Sequence, residues 1–226
     1  MQLSTVQQRG RVPFPAFAGE RIYMREFTKV AGLPRELRHW QATVDAMLDG
    51  IDTTGPMFLM VDQASVRAAT AQRRPGVHVD GYWHPAVQAH DGGGGGHSSQ
   101  PAEPTGGNRR NRGGHRSTPT PTNPAANKGS HSPRPNAHLH IGHGAEGLIL
   151  ASDVLGCAAY VGEFDGEALE GGDCAHIDVS GLLRVDMEPG RVWAGHTLTM
   201  LHEALPVRHD CLRTVVRLNV QGWQPQ

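Results

Sequence analysis

The chain has 226 residues, of which 38% are hydrophobic and 19% are charged, enough for one medium-sized domain with a packed core. The formal net charge is −1, but residues 138–226 carry 5 Lys or Arg against 12 Asp or Glu, a net −7, so this part lacks a basic nucleic-acid footprint. The three cysteines are widely spaced and form no Cys-x-x-Cys, which argues against a disulfide framework and favours a reducing, cytoplasmic setting. Neither a signal peptide nor a membrane-spanning run is expected.

The first 90 residues mix strands and a helix. Residues 19–27 alternate as a strand does, and residues 33–50 carry apolar side chains at helical spacing, which predicts a helix with one buried face. Residues 56–61 predict a short buried strand. Asp62 is a candidate cap for a second short helix over residues 63–72.

Residues 91–137 are low in complexity and contain no aromatic residue and no Leu, Ile, Val or Met. Such a segment cannot bury enough apolar area to offset the entropy of ordering it, so we predict a flexible Gly/Pro/Arg-rich insertion. It is the one part whose basic composition suits contact with nucleic acid or an acidic partner, although a solvated loop explains it more simply. Residues 1–90 and 138–226 are then expected to form a single domain.

Residues 138–226 predict a succession of short strands separated by Gly, Pro and Asp. Together with the N-terminal helix they favour a mostly β fold with flanking helices, a double-stranded β-helix of the jelly-roll or cupin type. The predicted strands cover residues 146–154, 157–164, 174–179, 182–187, 191–195, 198–205 and 212–220.

The stretch "GVHVDGYW" raises the question of a metal site. His78 and Asp80 are two residues apart, so on a strand their side chains point the same way. A polar turn is the simpler explanation, and a second His-x-Asp, His176 with Asp178, lies later in the chain. The metal hypothesis therefore needs a third ligand from a distant strand.

The segment "LHEALPVRHDCLRTVVRLNV" supplies the candidates. His202 lies on a predicted strand, with His196 as an alternative, and Arg213 and Arg217 follow it by 11 and 15 residues. The two arginines share one face of an otherwise apolar strand. Because burying a lone cation is costly, a buried anion such as a dicarboxylate cosubstrate is a natural partner for them.

With these residues the sequence resembles the Fe(II)/2-oxoglutarate-dependent dioxygenases. His78-x-Asp80 is similar to the family's early His-x-Asp, and His202 in "HEALP" is similar to the distal His, in the His-Glu-x-x-Pro context of prolyl hydroxylases. "PGRVWAG" resembles the turn and strand before that His in relatives of taurine dioxygenase. The resemblance implies that His78, Asp80 and His202 bind Fe(II) and that Arg213, helped by Arg217, binds 2-oxoglutarate.

The residues directly after the His-x-Asp would line the mouth of such a site. Tyr82 and Trp83 are candidate substrate-binding residues, with core packing of Trp83 as the alternative. Arg73 and Arg74, just before the motif, are expected in a solvated turn.

Two other functions stay open at this stage. A cupin-like metal enzyme without 2-oxoglutarate would use a His-x-His, for which His138 and His140 are available. A non-catalytic β-sandwich, such as a virion or assembly protein, would not bring His78, Asp80 and His202 together.

Overall fold

A computed structural model of the chain describes residues 1–80 and 146–226, which build a β-rich fold. Ten strands and one α-helix lie in these two ranges, with 3-10 turns at Arg35–Trp40 and Glu170–Gly172. The elements are β1 (Gln2–Ser4), β2 (Gln7–Arg11), β3 (Arg21–Phe27), α1 (Gln41–Met47), β4 (Met57–Val66), β5 (Glu146–Ser152), β6 (Cys157–Phe164), β7 (Leu183–Asp186), β8 (Arg191–His196), β9 (His202–Ala204) and β10 (Cys211–Gln221).

The strands form two antiparallel sheets. The larger sheet has six strands in the order β2-β8-β5-β10-β4-β3. In the smaller sheet β6 pairs with β1, β7 and β9. The prediction of a mostly β fold with a flanking helix is therefore confirmed.

Successive side chains of β5 pack on opposite faces of the larger sheet. Leu148 and Leu150 pack with Ala159 of β6 between the two sheets. Ile149 and Ala151 point to the opposite face, into the core beneath the helix. Because successive strand residues point to opposite faces, a strand covered on both sides needs a continuous apolar run, and "GLILA" supplies one.

The predicted helix over residues 33–50 is present as a 3-10 turn followed by α1. Trp40, Val44 and Met47 are completely buried against the outer face of the six-stranded sheet. The Trp40 indole also donates a 2.9 Å hydrogen bond to the carboxylate of Glu20, just before β3. The helical spacing of the apolar residues therefore indicated the correct buried face.

Two predicted elements are wrong. The short helix over residues 63–72 does not form, because β4 continues to Val66 in register with β10, and Asp62 pairs with arginines instead of capping a helix. Residues 174–179 are not a strand but a run of turns. Strands β1 and β2 were not predicted at all, since their burial depends on pairing with β6 and β8, far along the chain.

The described residues contain no helix that is long and apolar enough to cross a bilayer.

The buried face of β10 predicts a sharp difference between two leucines on the same strand. Leu218 is fully buried, whereas Leu212 is 56% exposed. Leu218→Ala is expected to lower the free energy of unfolding by about 2–5 kcal/mol, the usual cost of deleting a buried leucine side chain. Leu212→Ala should change it by less than about 0.5 kcal/mol. Chemical denaturation of the two variants measures both; equal losses would contradict this packing.

Candidate metal centre

The two candidate histidines face each other across a pair of antiparallel segments. The backbone N–H of His78 donates to the carbonyl of His202 at 2.9 Å, and the N–H of His202 donates back to the carbonyl of His78 at 3.0 Å. Directly opposed residues of an antiparallel pair project to the same side, and the two ring centroids are 4.3 Å apart. The strand pairing itself brings these side chains together.

A second segment holds the His-x-Asp from the other side. Val79 donates to the carbonyl of Gly172 at 2.9 Å, and Cys174 donates to the carbonyl of Val77 at 3.0 Å. The segment 77–80 is thus hydrogen-bonded along both edges. Asp80, two residues after His78, projects to the same side as the His78 ring.

His78, Asp80 and His202 form a cluster of three ligand atoms, one from each residue, that lie within 4.8 Å of one another. No other cluster of this kind occurs in residues 1–80 and 146–226. The three side chains therefore lie together, as the metal-site hypothesis predicts. The non-catalytic sandwich predicted that they would not converge.

Backbone carbonyls fix the orientation of both imidazoles. Nδ1 of His78 lies 2.8 Å from the carbonyl oxygen of Gly76, and Nδ1 of His202 lies 3.0 Å from that of Met200. A carbonyl can only accept, so each Nδ1 carries the proton and each neutral ring keeps its lone pair on Nε2. Such hydrogen bonds hold the rings of metal-binding histidines in place.

The three ligand atoms are all acceptors, and this gives the cluster its chemistry. Nε2 of His202 lies 3.4 Å from Oδ2 of Asp80. With both rings neutral, their lone pairs face a carboxylate, and a cation bound between the three groups would relieve the repulsion among them. Burial, together with the adjacent His202, lowers the pKa of His78 to about 4, so this ring is neutral near pH 7. Two imidazoles and one carboxylate form a donor set that suits a divalent transition metal.

Arg217 supplies the charge that offsets Asp80. Its Nη1 lies 2.9 Å from Oδ2 of Asp80, and both side chains are largely buried. Burial by itself would raise the pKa of Asp80, but Arg217 and the two histidines hold that pKa well below its usual value. Asp80 is therefore ionised at neutral pH and available as an anionic ligand.

Arg213 is also buried, and it has no acidic partner among the described residues. Nε donates to Oγ of Ser152 at 3.1 Å and Nη2 contacts Sγ of Cys157 at 3.3 Å, while Nη1 has no hydrogen-bond partner. Gly156 makes room for the guanidinium, since a Cβ there would lie 2.5 Å from Cζ of Arg213. Burial raises the pKa of the neighbouring Cys157, and Arg213 opposes part of that rise.

An open cavity of about 240 Å³ lies next to the three ligand side chains. All three line it, together with Arg217, whereas Arg213 does not line it but contacts Cys157, which does. Four further polar residues, which were not among the predicted site residues, line the same cavity: Tyr23, Arg73, Arg74 and Cys157. The position of Arg73 and Arg74 just before the His-x-Asp was the one available signal for the two arginines.

The other candidate residues lie elsewhere. His196 accepts a hydrogen bond from the Leu198 N–H and is not part of the cluster. His176 and Asp178, the second His-x-Asp, are exposed in the turns after Cys174. Tyr82, Trp83, the His138–His140 pair and the predicted insertion 91–137 all lie outside the described residues.

Comparison of the chain with protein-family models, with curated proteins and with solved structures gives no match.

The Asp80–Arg217 pair predicts a large stability effect in the metal-free protein. Arg217→Met leaves a buried carboxylate without its cation, which is expected to cost about 3–5 kcal/mol in the free energy of unfolding. This full destabilisation is expected at pH 7. A carboxyl whose pKa is lowered on folding, as that of Asp80 is, stabilises the fold above its unfolded-state pKa of about 4. The stabilisation is lost only as the pH falls from there through the lowered pKa.

The matched control is Arg184→Met, which removes an arginine from an exposed pair with Asp186. Exposed pairs contribute about 0–1 kcal/mol, so this variant should melt close to wild type. Urea denaturation of the metal-free variants measures both, and similar losses in the two would show that Arg217 does not compensate a buried charge.

Proposed function

We propose that this chain is a non-haem Fe(II)-dependent dioxygenase that uses 2-oxoglutarate as cosubstrate and oxidises a second, organic substrate. The observation that carries the proposal is the convergence of His78, Asp80 and His202, with both Nε2 lone pairs and an ionised carboxylate directed at one another. Two imidazoles and one carboxylate on one face of an iron ion leave open positions for a cosubstrate and oxygen.

The arrangement of the sheets supports the proposal. We interpret the two antiparallel sheets as a double-stranded β-helix with α1 packed on its outside. His202 comes from the smaller sheet, and Arg217 reaches the same site from the central strand β10 of the larger sheet. In this fold the site lies between two rigid layers, which favours fixed ligand geometry.

The ion and its cosubstrate would supply the oxidising chemistry. The protein's own residues bind and orient. His78 and His202 offer Nε2, held by the Gly76 and Met200 carbonyls, and Asp80 offers a carboxylate oxygen while Arg217 binds its Oδ2. Arg217 thereby limits the freedom of the carboxylate to rotate.

Arg213 is the best candidate for the distal carboxylate of 2-oxoglutarate. It is completely buried, has an unsatisfied Nη1, and has no acidic partner in the part of the chain described, whereas Arg217 is already paired with Asp80. An unpaired buried guanidinium is costly, and a carboxylate is the group that its planar donors fit best. Arg213 contacts Cys157, which lines the cavity, and this weak sulfur contact is the one a carboxylate would replace.

Anaerobic titration with Fe(II) and then with 2-oxoglutarate tests both assignments. Wild type is expected to bind Fe(II), less tightly as the pH falls because both imidazoles must be neutral, and then to develop a visible charge-transfer band with 2-oxoglutarate. His202→Ala should abolish tight Fe(II) binding. His176→Ala, the same substitution at an exposed histidine outside the cluster, should leave it unchanged.

Arg213→Lys separates the cosubstrate from the metal. Lysine keeps the charge but loses the planar fork, so the affinity for 2-oxoglutarate should fall at least about tenfold while Fe(II) binding is retained. Wild type that binds no Fe(II), or a His202→Ala variant that binds it as well as wild type, would refute the metal site. Fe(II) binding without any 2-oxoglutarate band would refute the dioxygenase proposal and leave a metalloprotein of another class.

A further inference from the structure

A pair of arginines forms a cationic rim beside the three candidate ligands. Arg73 and Arg74 precede the segment with His78 and Asp80, and both line the cavity. The candidate iron and cosubstrate sites make use of neither of them.

Arg74 is exposed, and one hydrogen bond connects its guanidinium to the backbone. Its Nη1 donates to the carbonyl of Gly171 at 3.2 Å. Gly171 has φ of +69°, a conformation that strongly favours glycine, and the next carbonyl, that of Gly172, accepts from Val79 in the segment with the candidate ligands. The guanidinium is therefore held against a turn that is hydrogen-bonded to the metal centre, with four of its five N–H donors not engaged in that bond.

The charges on the cavity wall do not balance. Arg73 shares the carboxylate of Asp62 with Arg21, at 3.3 and 3.4 Å. Arg74 has no ion-pair partner within residues 1–80 and 146–226. Asp80 is the one carboxylate among the described lining residues, and Arg217 already binds it.

The excess of positive charge on the cavity wall favours an anionic ligand. The wall carries three arginines against one carboxylate, in a chain whose net charge is −1. A metal ion would add further positive charge. A cleft lined by one sign of charge concentrates ligands of the opposite sign, and an arginine fork binds carboxylate or phosphate through charge-assisted hydrogen bonds.

We propose that Arg74, supported by Arg73, binds an anionic group of the organic substrate, a carboxylate or a phosphate. The inference rests on the proposed function for the existence of that substrate and specifies its chemical class. The anion is distinct from the cosubstrate carboxylate, which we assign to Arg213. Tyr23, a residue that lines the same cavity and is 55% exposed, offers an aromatic side chain to the body of such a substrate.

Calorimetric titration of the metal-free 226-residue chain with methylphosphonate and with acetate tests the anion site. Wild type is expected to bind at least one probe, and the stronger of the two identifies the phosphate or the carboxylate as the preferred group. Arg74→Ala should weaken binding at least about tenfold, because it removes a charge-assisted hydrogen bond to the anion. Arg74→Lys should weaken it less, and Arg208→Ala, at an exposed arginine away from the cavity, should not change it.

A second measurement locates the anion. With Mn(II) and 2-oxoglutarate bound, the ³¹P or ¹³C resonance of the bound probe should broaden in wild type and much less in Arg74→Ala. No probe binding, binding that is independent of Arg74, or binding without broadening while Mn(II) and 2-oxoglutarate are bound would each overturn the inference. Failure of Mn(II) to bind at all would instead count against the proposed function, and the calorimetry alone would then decide whether the rim binds anions.

Discussion

Everything at the centre of this protein depends on the buried carboxylate of Asp80. It lies where two imidazole lone pairs also point, so three acceptors converge on the wall of the cavity. Such a group is stable only with cations around it. The fold provides one of them, Arg217, from a strand of the opposite sheet, and the geometry of the two histidines leaves room for a second.

That requirement explains why the central strand of the larger sheet carries charged residues. β10 is covered on both faces, and most of its residues are apolar, yet it buries Arg213 and Arg217 on the side that faces the smaller sheet. Arg217 has a partner in Asp80. Arg213 has none among the described residues, and this unpaired buried guanidinium is the physical reason for proposing a dicarboxylate cosubstrate beside the candidate metal centre. On the cavity wall Arg74 is exposed, so its charge is solvated, and it too has no ion-pair partner among the described residues.

The sequence predicted the parts of this arrangement that depend on local pattern. The spacing of His78 and Asp80 and the shared face of Arg213 and Arg217 follow from the two-residue period of a strand. The buried face of the helix follows from the spacing of Trp40, Val44 and Met47.

The parts that depend on distant pairing were not predictable. No local pattern shows that His78 pairs with His202, or that Arg217 rather than Arg213 contacts Asp80. The false helix at residues 63–72 has the same origin, because pairing with β10 extends β4 to Val66 and overrides the local turn and cap signals. Arg74 received no role for a related reason: its significance comes from Gly171, almost a hundred residues away in the chain.

The most direct test of the account is a crystal structure of the protein grown anaerobically with Fe(II) and 2-oxoglutarate, with anomalous data collected at the iron edge. The account predicts a single strong anomalous peak at bonding distance from Nε2 of His78, Nε2 of His202 and a carboxylate oxygen of Asp80, with 2-oxoglutarate density extending from that peak to Arg213. An ordered protein with no iron peak between these three side chains, or with iron bound at another set of residues, would contradict it.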